Sequence, residues 1–134
     1  MAAKSYYLDN AVLTAVLKAG AAVGPLTPYV GLFTVNPANP GDPGTEVLTA
    51  GGTLYARVAV TFGTVTNGVV ANSAPVAFVA AGASWGTVNG VGIYDNITVG
   101  AGNLLYYGTL GTPKLVGIGD SVSFATSALS VTEQ

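Results

Sequence analysis

The stretch from Ser84 to Leu110, SWGTVNGVGIYDNITVGAGNLLYYGTL, decides the fold. It contains two strand-like runs, Thr87–Tyr94 and Asn103–Leu110, in which apolar and polar or small side chains alternate as on the two faces of a strand. The loop between them, Asp95–Gly102, carries Asn and Gly, which tolerate the positive φ angles of turns. The stretch therefore predicts the central hairpin of an all-β domain, with Trp85 filling one end of the core.

Shorter strand-like runs separated by turn residues continue this pattern on both sides of the hairpin. The clearest are Tyr29–Val35 and Leu54–Phe62, and Thr66-Asn67-Gly68 is a hairpin-turn signal. Gly111-Thr112-Pro113 predicts a turn directly after the central hairpin. The other predicted strands are Val69–Asn72, Val76–Val79, Leu115–Val116, Val122–Phe124 and Leu129–Val131. Strands this short and this evenly spaced predict a mainly β fold, an antiparallel, jelly-roll-like β-sandwich over residues 29–132.

One α-helix is predicted before the strands, over residues 5–19. Ser5 is a typical N-cap, apolar residues follow at helical spacing, and Gly20 supplies a C-terminal stop. Leu13 and Leu17 extend the apolar surface beyond a single stripe, so the helix either packs only on its own sheet or also docks on a neighbouring subunit. No linker divides the chain, which predicts a single domain over residues 1–134.

Charged residues are unusually scarce. They make up 7% of the 134 residues, where a soluble domain has about 25%, and 50% of the residues are hydrophobic. Such a surface is typical of a protein that is covered by partners, although a monomer with a Ser, Thr, Asn and Gly surface is the alternative. The composition therefore predicts self-association, as a dimer or a trimer.

The charged and reactive residues argue against several classes of function. The four basic residues are scattered, so the clustered footprint of a nucleic-acid-binding protein is missing. The chain has no Cys and no His, and its six acidic residues favour no catalytic pair. Asp42 and Glu46 do not have the spacing of a calcium loop. We therefore predict no enzyme activity, no cofactor and no metal.

No run of residues is long and apolar enough to span a bilayer. The N-terminal segment resembles a signal peptide only faintly, because Asp9 and Asn10 interrupt its apolar part. These features predict a protein that is made in the cytoplasm and has no membrane partner.

A contact surface is predicted from expected exposure. The loop Asn36–Gly44, NPANPGDPG, has three prolines and two glycines, which exclude a helix or a central strand and stiffen an exposed loop. Arg57, the single arginine, is expected to form an ion pair with Glu46 or a subunit contact. Exposed tyrosines leave carbohydrate binding as a further alternative. The predicted contact residues are Tyr6, Tyr7, Leu13, Leu17, Asn36, Pro40, Asp42 and Arg57.

An ordered set of short motifs resembles a known family. The set begins with YVGLFTVNP at Tyr29 and continues through GTEV, GG, YAR, VTF, NSAPVAF, SWGTVNGVGIYD, NLLYYGTL and GD to LSVT, which ends at Thr132. It is similar to small virion proteins of tailed bacteriophages, which are often labelled phage tail fibre proteins and include capsid cement, or head-decoration, proteins. The resemblance implies a compact β-sandwich without catalysis.

The resemblance, combined with the length of the chain and the lack of coiled-coil heptads, favours a capsid decoration protein. Such a protein would bind the major capsid protein on the outer face of the shell, across capsomer boundaries, and stabilise the mature lattice. The alternative is a small tail-fibre or baseplate component that contacts tail proteins and a host-surface glycan or protein. Either interpretation places the chain in the virion after its synthesis in the host cytoplasm.

Overall fold

The central hairpin predicted from Ser84–Leu110 is present and is the longest pairing in the fold. In the computed structural model, β7 (Gly86–Tyr94) pairs antiparallel with β8 (Leu104–Val116). The predicted turn at Gly111-Thr112-Pro113 is wrong, because these residues lie inside β8, opposite a break in register between Val88 and Gly90. A bulge accommodates Gly and Pro in a strand without ending it.

The structure describes residues 3–18, 24 and 26–133. Ahead of the hairpin lie β1 (Ala3–Lys4), α1 (Tyr6–Leu17), β2 (Tyr29–Val35), β3 (Thr45–Glu46), β4 (Val58–Ala59), β5 (Val69–Ala71) and β6 (Val76–Ala77). After it come β9 (Ser123–Phe124) and β10 (Ser130–Thr132). The strand β2 has the predicted bounds. The predicted end of the helix at residue 19 and its stop at Gly20 lie outside the described residues.

The strands form one large sheet and two small ribbons. The large sheet has six strands in the order β1-β8-β7-β2-β3, with β4 also paired to β2. The ribbons are β10-β5 and β6-β9, and every pairing between the strands is antiparallel. The mainly β, antiparallel fold with one helix is confirmed. Its layers are less equal than in a jelly roll of eight strands, since the second layer consists of two separate ribbons.

A single hydrophobic core joins these layers. Val30 and Leu32 of the large sheet lie in one cluster with Val76 of β6 and with Trp85. Trp85 is buried, as predicted, and its ring meets Tyr55 edge-on at a centroid distance of 5.4 Å. The Trp85 indole N–H donates to the Thr53 carbonyl at 2.8 Å, so the polar end of this side chain is also satisfied.

The predicted strand Leu54–Phe62 is mostly wrong. Only Val58–Ala59 forms a strand, and Phe62 makes an isolated bridge to Asn72. Leu54 has a φ of 58°, a left-handed conformation that interrupts an extended chain. In contrast, the turn at Asn67 and Gly68 is confirmed by φ values of 51° and 76°, which are typical of a two-residue hairpin loop.

Candidate interaction surface

The helix α1 is fixed to the sheet at its N-terminal end. The Ser5 side chain caps the helix by accepting from the Leu8 N–H at 3.3 Å, and it donates to the Leu104 carbonyl of β8. The Ser5 N–H donates to the Leu105 carbonyl at 2.9 Å. Leu8 is buried in the core, and Val12 packs against the same cluster. The helix therefore does pack on its own sheet, through the face that carries these two residues.

Outside the face that packs on the sheet, α1 exposes large apolar side chains together with the polar Asn10 and Thr14. These large apolar side chains are between 47% and 74% exposed, and we call them the outer helix face: Tyr6, Tyr7, Leu13, Val16 and Leu17. Asp9 is the only charged residue within the helix, and its carboxylate lies 3.4 Å from the Lys4 ammonium. Several large apolar side chains exposed on one short helix mark an interaction site more often than an isolated exposed Leu does.

The proline-rich loop packs beside the start of the helix. The Tyr6 N–H donates to the Pro40 carbonyl at 3.0 Å, and Gly41 lies against the Tyr6 ring. The Asp42 carboxylate accepts from the Ala38 and Gly44 N–H groups, and these hydrogen bonds hold the pKa of Asp42 below its ordinary value. The structure thus brings three predicted contact residues, Tyr6, Pro40 and Asp42, into one region.

Asn36 starts the same loop, but its side chain is directed towards the sheet. Its Nδ2 donates to the Asn89 carbonyl at 3.1 Å, and its Oδ1 is buried over Gly90. Gly90 is required at this point, because a Cβ there would lie 1.9 Å from that oxygen. Asn36 therefore fixes the loop to β7, and its amide is not available to a partner.

Arg57 lies in the interior, and this corrects its prediction as a contact residue. It is 4% exposed, and its guanidinium makes two hydrogen bonds to Glu46, from Nε to Oε1 at 2.9 Å and from Nη2 to Oε2 at 2.8 Å. The alternative prediction, an ion pair with Glu46, is confirmed. A paired guanidinium below the surface contributes nothing that a neighbouring subunit can reach.

The remaining donors of Arg57 organise the loop between β7 and β8. Its Nη1 donates to the carbonyls of Asn96, Thr98 and Ala101 at 2.8–3.0 Å. The guanidinium carbon also lies 3.5 Å from the centroid of the Tyr94 ring, a cation–π contact. One buried cation therefore fixes the central hairpin loop to the strand that carries Glu46.

Tyr55 completes this arrangement, which we call the Arg57 cluster: Arg57, Glu46, Tyr55 and Tyr94. The Tyr55 hydroxyl donates to Glu46 Oε1 at 2.8 Å and accepts from the Leu32 N–H at 2.8 Å. Burial, followed by the charge of Glu46, raises the pKa of both Tyr55 and Tyr94. Both hydroxyls therefore stay protonated at neutral pH.

An apolar groove opens between the large sheet and the β5–β10 ribbon. Its volume is about 440 Å³, and its lining includes Phe62, Val65, Val69, Ile93, Leu105 and Val131. Glu133 lies at its rim. Volumes of this order and apolar linings are typical of sites that receive a ligand or a partner side chain.

The described part of the chain contains neither a group of metal-ligand side chains nor a helix suited to crossing a membrane. Within residues 3–18, 24 and 26–133, no three His, Cys, Asp or Glu side chains are grouped as metal ligands would be. No helix in these ranges has the length and apolar character needed to cross a membrane. The exposed apolar surfaces are therefore the features that most need a functional explanation.

Comparison with known proteins identifies the family. The model of a family described as podophage GP4 fiber I protein gp80 matches residues 3–132. The chain belongs to this family. The match runs from β1 to β10 and includes both the outer helix face and the Arg57 cluster. The predicted resemblance to phage virion proteins is confirmed, and the chain is a phage structural protein. No curated protein matches it.

The sequence of this gp80-family chain did not predict the contact between its first strand, the strand β8 and Glu133. A short strand, β1, precedes the helix and pairs with Tyr106 and Tyr107 of β8. The Lys4 ammonium lies 3.0 Å from the Glu133 carboxylate, which also accepts from the Tyr106 hydroxyl. These contacts join segments from opposite ends of the sequence, and two residues are too few to give a strand pattern. The opposite charges of Lys4 and Glu133 were the only available signal.

Proposed function

We propose that this gp80-family chain is a non-enzymatic building unit of a phage fibre, packed against copies of itself and against neighbouring virion proteins. The observation that carries the proposal is the outer helix face, which is exposed although the rest of the helix is packed on the sheet. The description of the family as a fiber protein favours the fibre over the capsid shell. It moves the tail-fibre alternative ahead of the decoration role favoured by the sequence.

The energetics support an assembled state. Burying a Leu or Val side chain fully contributes about 1.5–3 kcal/mol, so burial of Leu13, Val16 and Leu17 can offset a large part of the cost of association. The scarcity of charge acts in the same direction, since closely packed copies meet little repulsion between like charges. In a fibre, host-surface glycans or proteins are the further partners that we propose.

A capsid decoration protein is the second candidate. It is favoured by the short elements of the described residues, where the one helix has 12 residues and the longest strand has 13. In this role the chain binds the major capsid protein across capsomer boundaries and stabilises the shell, because it binds the mature lattice and not its open form. Many copies acting together compensate for weak individual contacts.

The position and the copy number of the chain in the virion distinguish the two candidates. Gold-labelled antibody against the purified chain, or cryo-electron microscopy of virions, locates it directly. Label confined to fibres, in few copies, supports the fibre proposal. Hundreds of copies spread over the shell support decoration instead. Purified virions that lack the chain altogether would contradict both.

A further inference from the structure

The apolar groove is large enough and apolar enough to accept side chains of a helix. Ile93, Leu105 and Val131 are buried and belong to its lining, whereas Val65 and Val69 are exposed at its rim. Grooves with a buried apolar floor between two layers of structure are recurrent docking sites for amphipathic helices, whose apolar residues enter at i, i+3 and i+4 spacing. A partner for this groove therefore needs three apolar side chains at that spacing and little charge beside them.

The same chain carries such a helix. Leu13, Val16 and Leu17 have i, i+3 and i+4 spacing on the outer helix face and are all exposed. The helix of 12 residues is about 18 Å long, which allows these three side chains to enter one groove together. Asp9 is the only charged residue within the helix, and its carboxylate lies beside the Lys4 ammonium.

Charge at the edges of the two surfaces is complementary. Lys18 ends the helix, is exposed, and forms no ion pair with any described residue. Glu133 lies at the rim of the groove, and its side chain is 40% exposed although it contacts Lys4. Lys4 is shared between Glu133 and Asp9, so one positive charge faces two carboxylates and this edge keeps a net negative charge, which the Lys18 side chain of another copy would meet.

We infer that α1 of one copy inserts Leu13, Val16 and Leu17 into the apolar groove of the next copy, with Lys18 directed towards Glu133. The occupant is a second copy of this chain, because both surfaces belong to it and carry opposite charges at their edges. The inference rests on the proposed function in that it names the surfaces through which the copies associate. Helix and groove are different surfaces, so the contact is head-to-tail, and successive contacts close a ring or extend a chain.

Two variants of the full chain test this arrangement. Leu17→Asp removes the helix side of the contact and keeps the groove, whereas Val65→Asp places a charge at the groove rim and keeps the helix. Both positions are exposed, so we expect both variants to fold, which circular dichroism and thermal unfolding check. Leu48→Asp is the matched control, because Leu48 is exposed but lies in neither surface.

The readout is sedimentation velocity of the unmodified chain and of each variant over the same range of concentrations, and we expect the unmodified chain to associate within that range. We expect each variant alone to be monomeric and Leu48→Asp to associate normally. An equimolar mixture of Leu17→Asp and Val65→Asp should form heterodimers and nothing larger, because only one working helix and one working groove meet. Lys18→Met should weaken association by about two- to five-fold.

Three results would overturn the inference: a monomeric unmodified chain, a Val65→Asp variant that still associates, or a folded mixture that stays monomeric. Val69→Asp, at a second position on the groove rim, repeats the groove test independently and should also be monomeric. None of these results bears on whether the chain is located in fibres, since the virion labelling described above measures that separately. Failure of the docking arrangement and failure of the proposed function are therefore distinguishable.

Discussion

The Arg57 cluster and the outer helix face use their residues in opposite ways. In the cluster, a buried cation, a carboxylate and two tyrosines meet within one chain, and hydrogen bonds satisfy the ionic groups. On the helix, five large apolar side chains remain exposed. From the sequence, Arg57 and residues of the helix were both named as contact residues on the basis of expected exposure, with an ion pair to Glu46 as the alternative for Arg57. Burial separates them: the groups of the cluster contact one another inside the chain, whereas the side chains of the outer helix face are exposed.

Among the polar contacts, the largest effect on folding is expected from breaking the Arg57 cluster. Arg57→Met leaves the Glu46 carboxylate buried without its cation and frees the β7–β8 loop from three hydrogen bonds to its carbonyls. We expect the free energy of unfolding to fall by about 3–5 kcal/mol. Urea denaturation followed by tryptophan fluorescence measures the change, because Trp85 is buried in the native state.

The double variant Arg57→Met/Glu46→Gln is the control for this effect. Removing the negative charge as well should recover part of the lost stability, since the penalty of an unpaired buried carboxylate disappears. A double variant that is less stable than the single one by the full cost of Glu46→Gln alone would show that the two side chains are not coupled.

A smaller loss is expected from Tyr55→Phe. The substitution keeps the ring against Trp85 but removes the acceptor of the Leu32 N–H and one donor to Glu46. An unsatisfied buried N–H costs about 1–3 kcal/mol, and we expect unfolding to become easier by that amount. The same urea titration checks the value; an unchanged midpoint would mean that water replaces the hydroxyl.

The contact of Glu133 with Lys4 and Tyr106 should make the stability of the fold depend weakly on pH in the acidic range. Burial raises the pKa of Glu133, but hydrogen bonds from Tyr106 and Lys4 outweigh this and hold it below its ordinary value. A lowered folded pKa gives stability that is present above the pKa of the unfolded state and is lost as pH falls through the folded value. We expect less than about 1 kcal/mol, because both side chains are partly exposed. Lys4→Met should reduce this acid-dependent part between about pH 5 and pH 3, as measured by unfolding at each pH.

The smallest effect on folding is expected on the outer helix face. Leu13→Asp changes an exposed position that lies outside the core cluster, so the free energy of unfolding of the monomer should stay within about 0.5 kcal/mol. Leu8→Asp, at a buried position on the same helix, is the contrasting control and should unfold the chain or weaken it strongly. Equal losses at both positions would contradict the division between a packed and an exposed helix face.

The parts of the fold that the sequence predicted are those governed by local patterns. The central hairpin, the strand Tyr29–Val35, the N-cap at Ser5 and the turn at Asn67-Gly68 each have a pattern that is visible in neighbouring residues. The predicted strand Leu54–Phe62 had an equally good pattern and failed. There, long-range demands were stronger, because Tyr55 and Arg57 both turn inward to reach Glu46.

The candidate site was predicted in part for the same reason. The apolar excess of the helix was visible from spacing, so Leu13 and Leu17 were named, whereas Val16 was not recognised as exposed. The apolar groove was not predicted, since Phe62, Leu105 and Val131 come together only through the packing of the ribbon on the large sheet. Composition indicated that partners exist, but only the structure indicates which surfaces are free for them.

Sedimentation equilibrium of the purified chain and of its Leu17→Asp variant, over a range of concentrations, measures whether the outer helix face drives association. We expect the unmodified chain to associate reversibly and the variant to remain a folded monomer whose unfolding midpoint matches that of the monomeric unmodified chain. An unmodified chain that stays monomeric at every concentration, or a variant that associates equally well, would contradict the assignment of the outer helix face to assembly.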